Sequence, residues 1–77
     1  MNEPTNEDRA SWADESIQLF ARNTGMADSE DEETAFKDLL ADMRHWCSKR
    51  GIDFDAHANG SREVFYEEVL EETEEGA

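Results

Sequence analysis

The chain has 77 residues, with 21 Asp and Glu against 7 Lys and Arg, a formal net charge of -14, and one cysteine. This length allows one domain, and the negative charge disfavours direct binding to nucleic acid or to an anionic membrane. A single cysteine cannot form an intrachain disulfide, and the lack of disulfides is typical of proteins in a reducing cytoplasm. Because the sequence has no apolar leader and no membrane-length apolar run, we expect a cytoplasmic protein.

The small size and the placement of the charge suggest that the chain has partners. A domain this short buries only about 60% of its unfolded surface, so a symmetric homodimer is a natural supplement. Residues 52–77 carry 9 acidic and 1 basic residues, whereas each of the two preceding thirds has a net charge of -3. A partner attracted by charge should therefore be basic, although solubility or adaptation to salt also accounts for an acidic surface.

The first predicted helix covers residues 6–22. Thr5 and Asp8 have the spacing of a capping box, with Asp in place of the usual Glu, and Gly25 is typical of the residue that ends a helix. The apolar residues of this segment share one helical face: Ala10, Ala13, Ile17, Phe20 and Ala21, with Trp12 and Leu19 beside them.

The second predicted helix covers residues 30–50. Ser29 and Glu32 form an S-x-x-E capping box, and Gly51 followed by the apolar Ile52 indicates a Schellman ending. Acidic residues fill the first turn and basic residues the last, as the helix dipole favours. The expected core face has helical spacing: Phe36, Leu40, Met43 and Cys47, with Leu39 and Trp46 beside it.

The third predicted helix covers residues 54–72, with Asp53 as its cap. Phe54, Phe65 and Val69 lie on one face of such a helix. Against its continuity, Asn59-Gly60 is a turn signal, and a glycine within a helix costs about 1 kcal/mol relative to Ala. The alternative is a separate turn, with the main helix beginning only after residue 60.

These patterns predict a single all-α domain over residues 1–77. Its three helices lie at 6–22, 30–50 and 54–72, and its ends, at about 1–4 and 73–77, are predicted to be disordered. We expect the second helix to be central, with the other two packed on its Phe36, Leu40, Met43 and Cys47 face.

No catalytic, metal-binding or cofactor-binding site is predicted. Residues 55–67 resemble a calcium loop only in part, because Glu67 lies one residue beyond the position of the closing ligand. His45 and Cys47 point to different sides of a helix, and we interpret Cys47 as a core thiol rather than a zinc ligand. No nucleophile, base and orienting group share a recognisable spacing.

The candidate partner-binding residues are carboxylates of the third helix: Glu63, Glu67, Glu68, Glu71 and Glu72. Carboxylates at helical pitch can imitate the phosphates of a duplex and bind the Lys and Arg of a DNA-binding protein. Glu is also an ordinary helix-forming residue on surfaces. Trp12 and Trp46 are expected in the core, but either would suit an interface if exposed.

Several short stretches of the sequence form a recognisable pattern. In chain order they are Trp12-Ala13, Phe20, Thr24-Gly25, Phe36-Lys37-Asp38-Leu39-Leu40-Ala41-Asp42-Met43-Arg44-His45-Trp46-Cys47 and Gly51-Ile52-Asp53-Phe54-Asp55. Over residues 12–68 the chain resembles a group of small uncharacterised bacterial proteins found in genomes, phages, plasmids and other mobile elements. The resemblance implies an all-helical cytoplasmic protein and no particular activity. The chain departs from the group's pattern at residues 57–61.

The function expected from the sequence is therefore non-enzymatic. The leading hypothesis is a small acidic interaction module, from a mobile element, that binds a basic protein partner and no nucleic acid or membrane. A DNA mimic that acts through the acidic third helix is one alternative. A self-assembling structural protein is another.

Overall fold

Three α-helices make up the computed structural model, which describes residues 3–25 and 31–76. α1 spans Asn6–Asn23, α2 spans Glu32–Arg50 and α3 spans Phe54–Gly76, and each pair of helices is in contact. The predicted all-α, three-helix architecture is confirmed, and the described residues contain no strand. None of these helices is long and apolar enough to cross a membrane.

The predicted beginning of α1 is confirmed by hydrogen bonds, and the helix ends at Asn23, one residue beyond the predicted end. The Thr5 hydroxyl accepts a bond from the Asp8 amide, and the Asp8 carboxylate accepts one from the Thr5 amide, each at 3.0 Å. This reciprocal pair satisfies two amides that the helix leaves free. Beyond the other end, Gly25 has a φ of 77°, in the left-handed region that glycine adopts at little cost.

The beginning of α2 differs from the prediction. The helix starts at Glu32 rather than at residue 30, because the Asp31 carboxylate accepts a bond from the Thr34 amide at 2.7 Å and acts as the cap. The backbone and hydroxyl bonds from Thr34 hold the pKa of Asp31 below its ordinary value of 3.8. Ser29, the predicted cap, lies outside the described residues.

The predicted Schellman ending of α2 is confirmed. Gly51 has a φ of 69°, and the Ile52 amide donates to the Cys47 carbonyl at 2.9 Å. This bond satisfies a carbonyl at the end of the helix and fixes where the chain turns towards α3.

α3 is one continuous helix through Asn59-Gly60, as preferred from the sequence. The Asp53 carboxylate accepts a bond from the Ala56 amide at 3.1 Å and caps the first turn. The helix ends at Gly76, four residues beyond the predicted end, so residues 73–76 continue it rather than forming part of a disordered end. The physical reason is the Glu-rich composition before Gly76, because Glu favours helix and no glycine or proline intervenes.

The core is smaller than the sequence predicted. Among the described residues, the buried apolar side chains are those of Ala21, Ala35 and Cys47. The expected core residues Phe36 and Met43 are instead 49% and 42% exposed, and Leu40 is half-buried. The radius of gyration, 15.1 Å, exceeds the value of about 11.5 Å expected for 77 compact residues, which agrees with a small core.

The continuity of α3 predicts that Gly60→Ala stabilises the protein. A Cβ at Gly60 would meet no atom within 4 Å, and Ala favours helix over Gly by about 1 kcal/mol. We expect thermal unfolding, followed by circular dichroism, to occur at a higher Tm.

Gly51→Ala is the matched control, because the positive φ of Gly51 strains any residue that carries a Cβ. This variant should unfold at a lower Tm. A lower Tm for Gly60→Ala would contradict a continuous α3.

Candidate interaction surface

Many large apolar side chains are exposed on the surface. Large apolar side chains that are between 38% and 61% exposed occur on all three helices: Trp12, Leu19, Phe36, Met43, Trp46, Val64, Phe65, Tyr66, Val69 and Leu70. The prediction that both tryptophans lie in the core is wrong, since Trp12 is 54% and Trp46 52% exposed. Where such side chains lie side by side, they are typical of surfaces that bind other molecules.

One row of these residues follows α2. Phe36, Leu39, Met43 and Trp46, here called the α2 seam, have spacings of three, four and three residues, which align them along one side of a helix. Leu39 is half-buried and the other three are at least 42% exposed. The spacing was visible in the sequence, but periodicity cannot tell whether another element covers the face.

α1 and α3 are joined by polar contacts near the beginning of α1. The Arg9 guanidinium lies 2.8 Å from the Glu68 carboxylate. The Asn6 side-chain amide donates to the Glu68 carbonyl at 3.1 Å, and the Asn6 backbone amide donates to the Glu72 carboxylate at 2.6 Å. A carboxylate at this position also interacts favourably with the dipole of α1. Glu68 and Glu72 therefore connect α3 to the beginning of α1.

The other three candidate residues take no part in these bonds, although Glu71 lines a small hollow together with Arg9, Glu68 and Glu72. Glu63, Glu67 and Glu71, here called the acidic ridge, are exposed and follow one another at intervals of four residues along α3. None of them forms an ion pair within the part of the chain that the structure describes. Of the five carboxylates predicted from the sequence, these three remain available to a partner.

A hollow of about 260 Å³ lies between α1 and α3. Its lining combines apolar atoms with the contact just described: Asn6, Arg9, Ala10, Phe65, Glu68 and Val69. Sites for small ligands usually measure about 300–1,000 Å³. The hollow is therefore better suited to a side chain of a partner than to a whole metabolite.

Two arginines of α2 make contacts within the chain. The Arg44 guanidinium lies 3.0 Å from the Asp55 carboxylate and 4.4 Å from the centre of the Phe54 ring. The Arg50 guanidinium lies 4.6 Å from the centre of the Trp46 ring. Cation–π contacts of this kind attract a guanidinium to the face of an aromatic ring, so Arg50, at the basic end of α2, lies against Trp46 of the seam.

The residues considered for chemistry do not converge in the structure. Cys47 is buried, whereas His45 and His57 are exposed on different helices. Residues 55–67, compared above with a calcium loop, form part of α3. Within residues 3–25 and 31–76, His, Cys, Asp and Glu form no group of three or more that could hold a metal ion.

Comparisons with family models, curated proteins and solved structures give no significant match to this chain. The resemblance to small bacterial proteins of mobile elements remains a prediction from the sequence.

The contact between α1 and α3 predicts an energetic coupling between Arg9 and Glu68. A double-mutant cycle with Arg9→Ala and Glu68→Gln should give a coupling energy of roughly 0.5–1 kcal/mol in urea unfolding, because both side chains are about two-thirds buried and charge pairs of this kind reach that range.

The Arg44–Asp55 pair is the control, because its side chains are 56% and 72% exposed and solvent screens such pairs strongly. A cycle with Arg44→Ala and Asp55→Asn should give a smaller coupling. Equal couplings for the two pairs would contradict a structural role for the Arg9–Glu68 contact.

Proposed function

We propose that the protein is a small, acidic, non-enzymatic interaction module that acts in the cytoplasm by binding another protein through a basic surface of that partner. The observation that carries the proposal is the combination of half-exposed apolar side chains on every helix with exposed carboxylates that have no partner within the described residues. The resemblance to proteins of phages and plasmids adds the proposal that it belongs to a mobile element.

The acidic ridge supports a basic partner. Each of its three carboxylates is exposed, and successive ones are separated by about 6 Å along the helix axis, from a rise of 1.5 Å per residue. A row of like charges focuses potential along one side of α3 and accelerates encounter with a surface of opposite charge. Neighbouring apolar side chains such as Tyr66 and Leu70, which are 58% and 61% exposed, can then supply contact area.

A non-enzymatic role is supported by the placement of the reactive side chains. The thiol of Cys47 is buried, and general acid–base or nucleophilic catalysis requires groups within hydrogen-bonding reach of each other and of a substrate. Several charged and polar side chains in the described residues instead cap helices or join them. A binding role uses the surface as it stands.

A DNA mimic is the second candidate, and the acidic ridge is the observation that favours it. The ridge offers one carboxylate per about 6 Å, whereas duplex DNA carries one charge per about 1.7 Å of its axis. The ridge therefore matches a few phosphate-binding side chains rather than the whole groove of a DNA-binding protein. For this reason a more general basic protein surface is the better-supported partner.

Affinity capture from bacterial lysate tests the proposal with two variants of equal charge. In one variant Glu63, Glu67 and Glu71 become Gln. The control changes exposed acids of α1, as Glu7→Gln, Asp14→Asn and Glu15→Gln. We expect the first variant to lose most of the partner that the unmodified protein captures at low salt, because its ridge is neutral, while the control retains most of it.

The competing readings give different results in the same experiment. Displacement of the partner by duplex DNA would favour the DNA mimic. Equal capture by both variants, or capture that persists unchanged at high salt, would contradict an electrostatic interface on α3.

A further inference from the structure

The α2 seam is an apolar face that the chain's own helices leave open. Its residues occupy alternating intervals of three and four, the spacing of the a and d positions with which two helices pack against each other in a coiled coil. Phe36, Met43 and Trp46 are 49%, 42% and 52% exposed, although α2 contacts both α1 and α3. A further helix can therefore pack along this face.

The charges at the two ends of α2 indicate what kind of helix can pack on the seam. Glu32 and Glu33 lie in its first turn, and Lys49 and Arg50 in its last. All four are exposed, and none forms an ion pair within the described residues. A second helix packed antiparallel to α2 places its last turn beside the acidic first turn of α2 and its first turn beside the basic last turn. The charges are complementary if the second helix is acidic in its first turn and basic in its last, as α2 itself is.

We propose that the α2 seam is the interface between two copies of this chain, with their α2 helices antiparallel about a two-fold axis. The seam is complementary to itself in this arrangement. Phe36 faces Trp46 of the second copy, and Leu39 faces its Met43. The same register places Glu32 opposite Arg50 of the second copy, while a parallel arrangement would place like charges together at both ends. Two-fold interfaces require such self-complementarity.

The surface area of the single chain is consistent with a covered interface. The accessible surface is 6564 Å², whereas a compact chain of 8.8 kDa exposes about 4,800 Å². This excess is spread over the whole chain and is larger than the roughly 800 Å² that each partner contributes to an interface of standard size; the exposure of Phe36, Met43 and Trp46 places part of it on the seam. The acidic ridge lies on α3 and does not take part, so this proposal and the basic partner are independent.

Sedimentation equilibrium of the full chain tests whether the dimer exists and uses the seam. The unmodified protein should sediment with twice the 8.8 kDa mass of the chain, and Met43→Glu should weaken association by at least about tenfold, which corresponds to 1.4 kcal/mol. Met43 is already 42% exposed in the single chain, so the variant should retain its helix content by circular dichroism.

Leu70→Glu is the control, because Leu70 is 61% exposed on α3 and lies outside the seam. It should remain dimeric. An unmodified protein that is monomeric at high concentration would overturn the proposal, and so would a Met43→Glu variant that dimerises as well as Leu70→Glu.

Charge reversal tests the orientation. One variant carries Lys49→Glu and Arg50→Glu, so both ends of α2 are acidic; the other carries Glu32→Lys and Glu33→Lys, so both ends are basic. In the antiparallel arrangement each variant alone faces like charges and should dimerise more weakly than the unmodified protein, while an equimolar mixture should recover the affinity. Variants that dimerise alone as tightly as the unmodified protein would overturn the antiparallel arrangement.

Discussion

The small amount of apolar surface that the three helices bury against one another is the constraint behind the rest of this structure. Ala21, Ala35 and Cys47 are the buried apolar residues of its described part. Full burial of a large apolar side chain contributes about 1.5–3 kcal/mol, whereas ordering one residue's backbone costs about 1–2 kcal/mol. Small buried side chains let the helices approach each other closely, but they contribute little of the free energy that burial of large apolar side chains supplies. Local hydrogen bonds therefore carry more of the stability than in a larger domain, and we propose that association supplies further apolar burial.

Polar contacts, rather than a large core, fix much of the arrangement of the helices. Caps at Thr5, Asp31 and Asp53 fix where each helix begins, and the Glu72 carboxylate reaches the first amide of α1. These contacts use a minority of the carboxylates in the described residues. Most of the remaining carboxylates are exposed and are spread over all three helices, with the acidic ridge on α3, while the α2 seam provides an apolar row on a different helix. The chain thus offers two surfaces of different chemistry that need not compete.

Features encoded by neighbouring residues could be predicted from the sequence. The box of Thr5 and Asp8, the ending at Gly51 and the cap at Asp53 depend on side chains and amides a few residues apart, and each is present in the structure. The role of Glu72 could not be predicted, because its partner amide is 66 residues away. Periodicity placed Phe36 and Met43 on one face of a helix but could not reveal that this face stays open, since coverage depends on how closely other helices approach.

The central claim is that the open apolar faces are covered by association, with the α2 seam at its centre. The most direct measurement is the Tm of the unmodified protein over about a hundredfold range of concentration, because stability that depends on association rises with protomer concentration. The account predicts that the Tm rises by several degrees across the range, and that Met43→Glu reduces this rise. A Tm that is independent of concentration would show that association does not contribute to stability and would contradict the account.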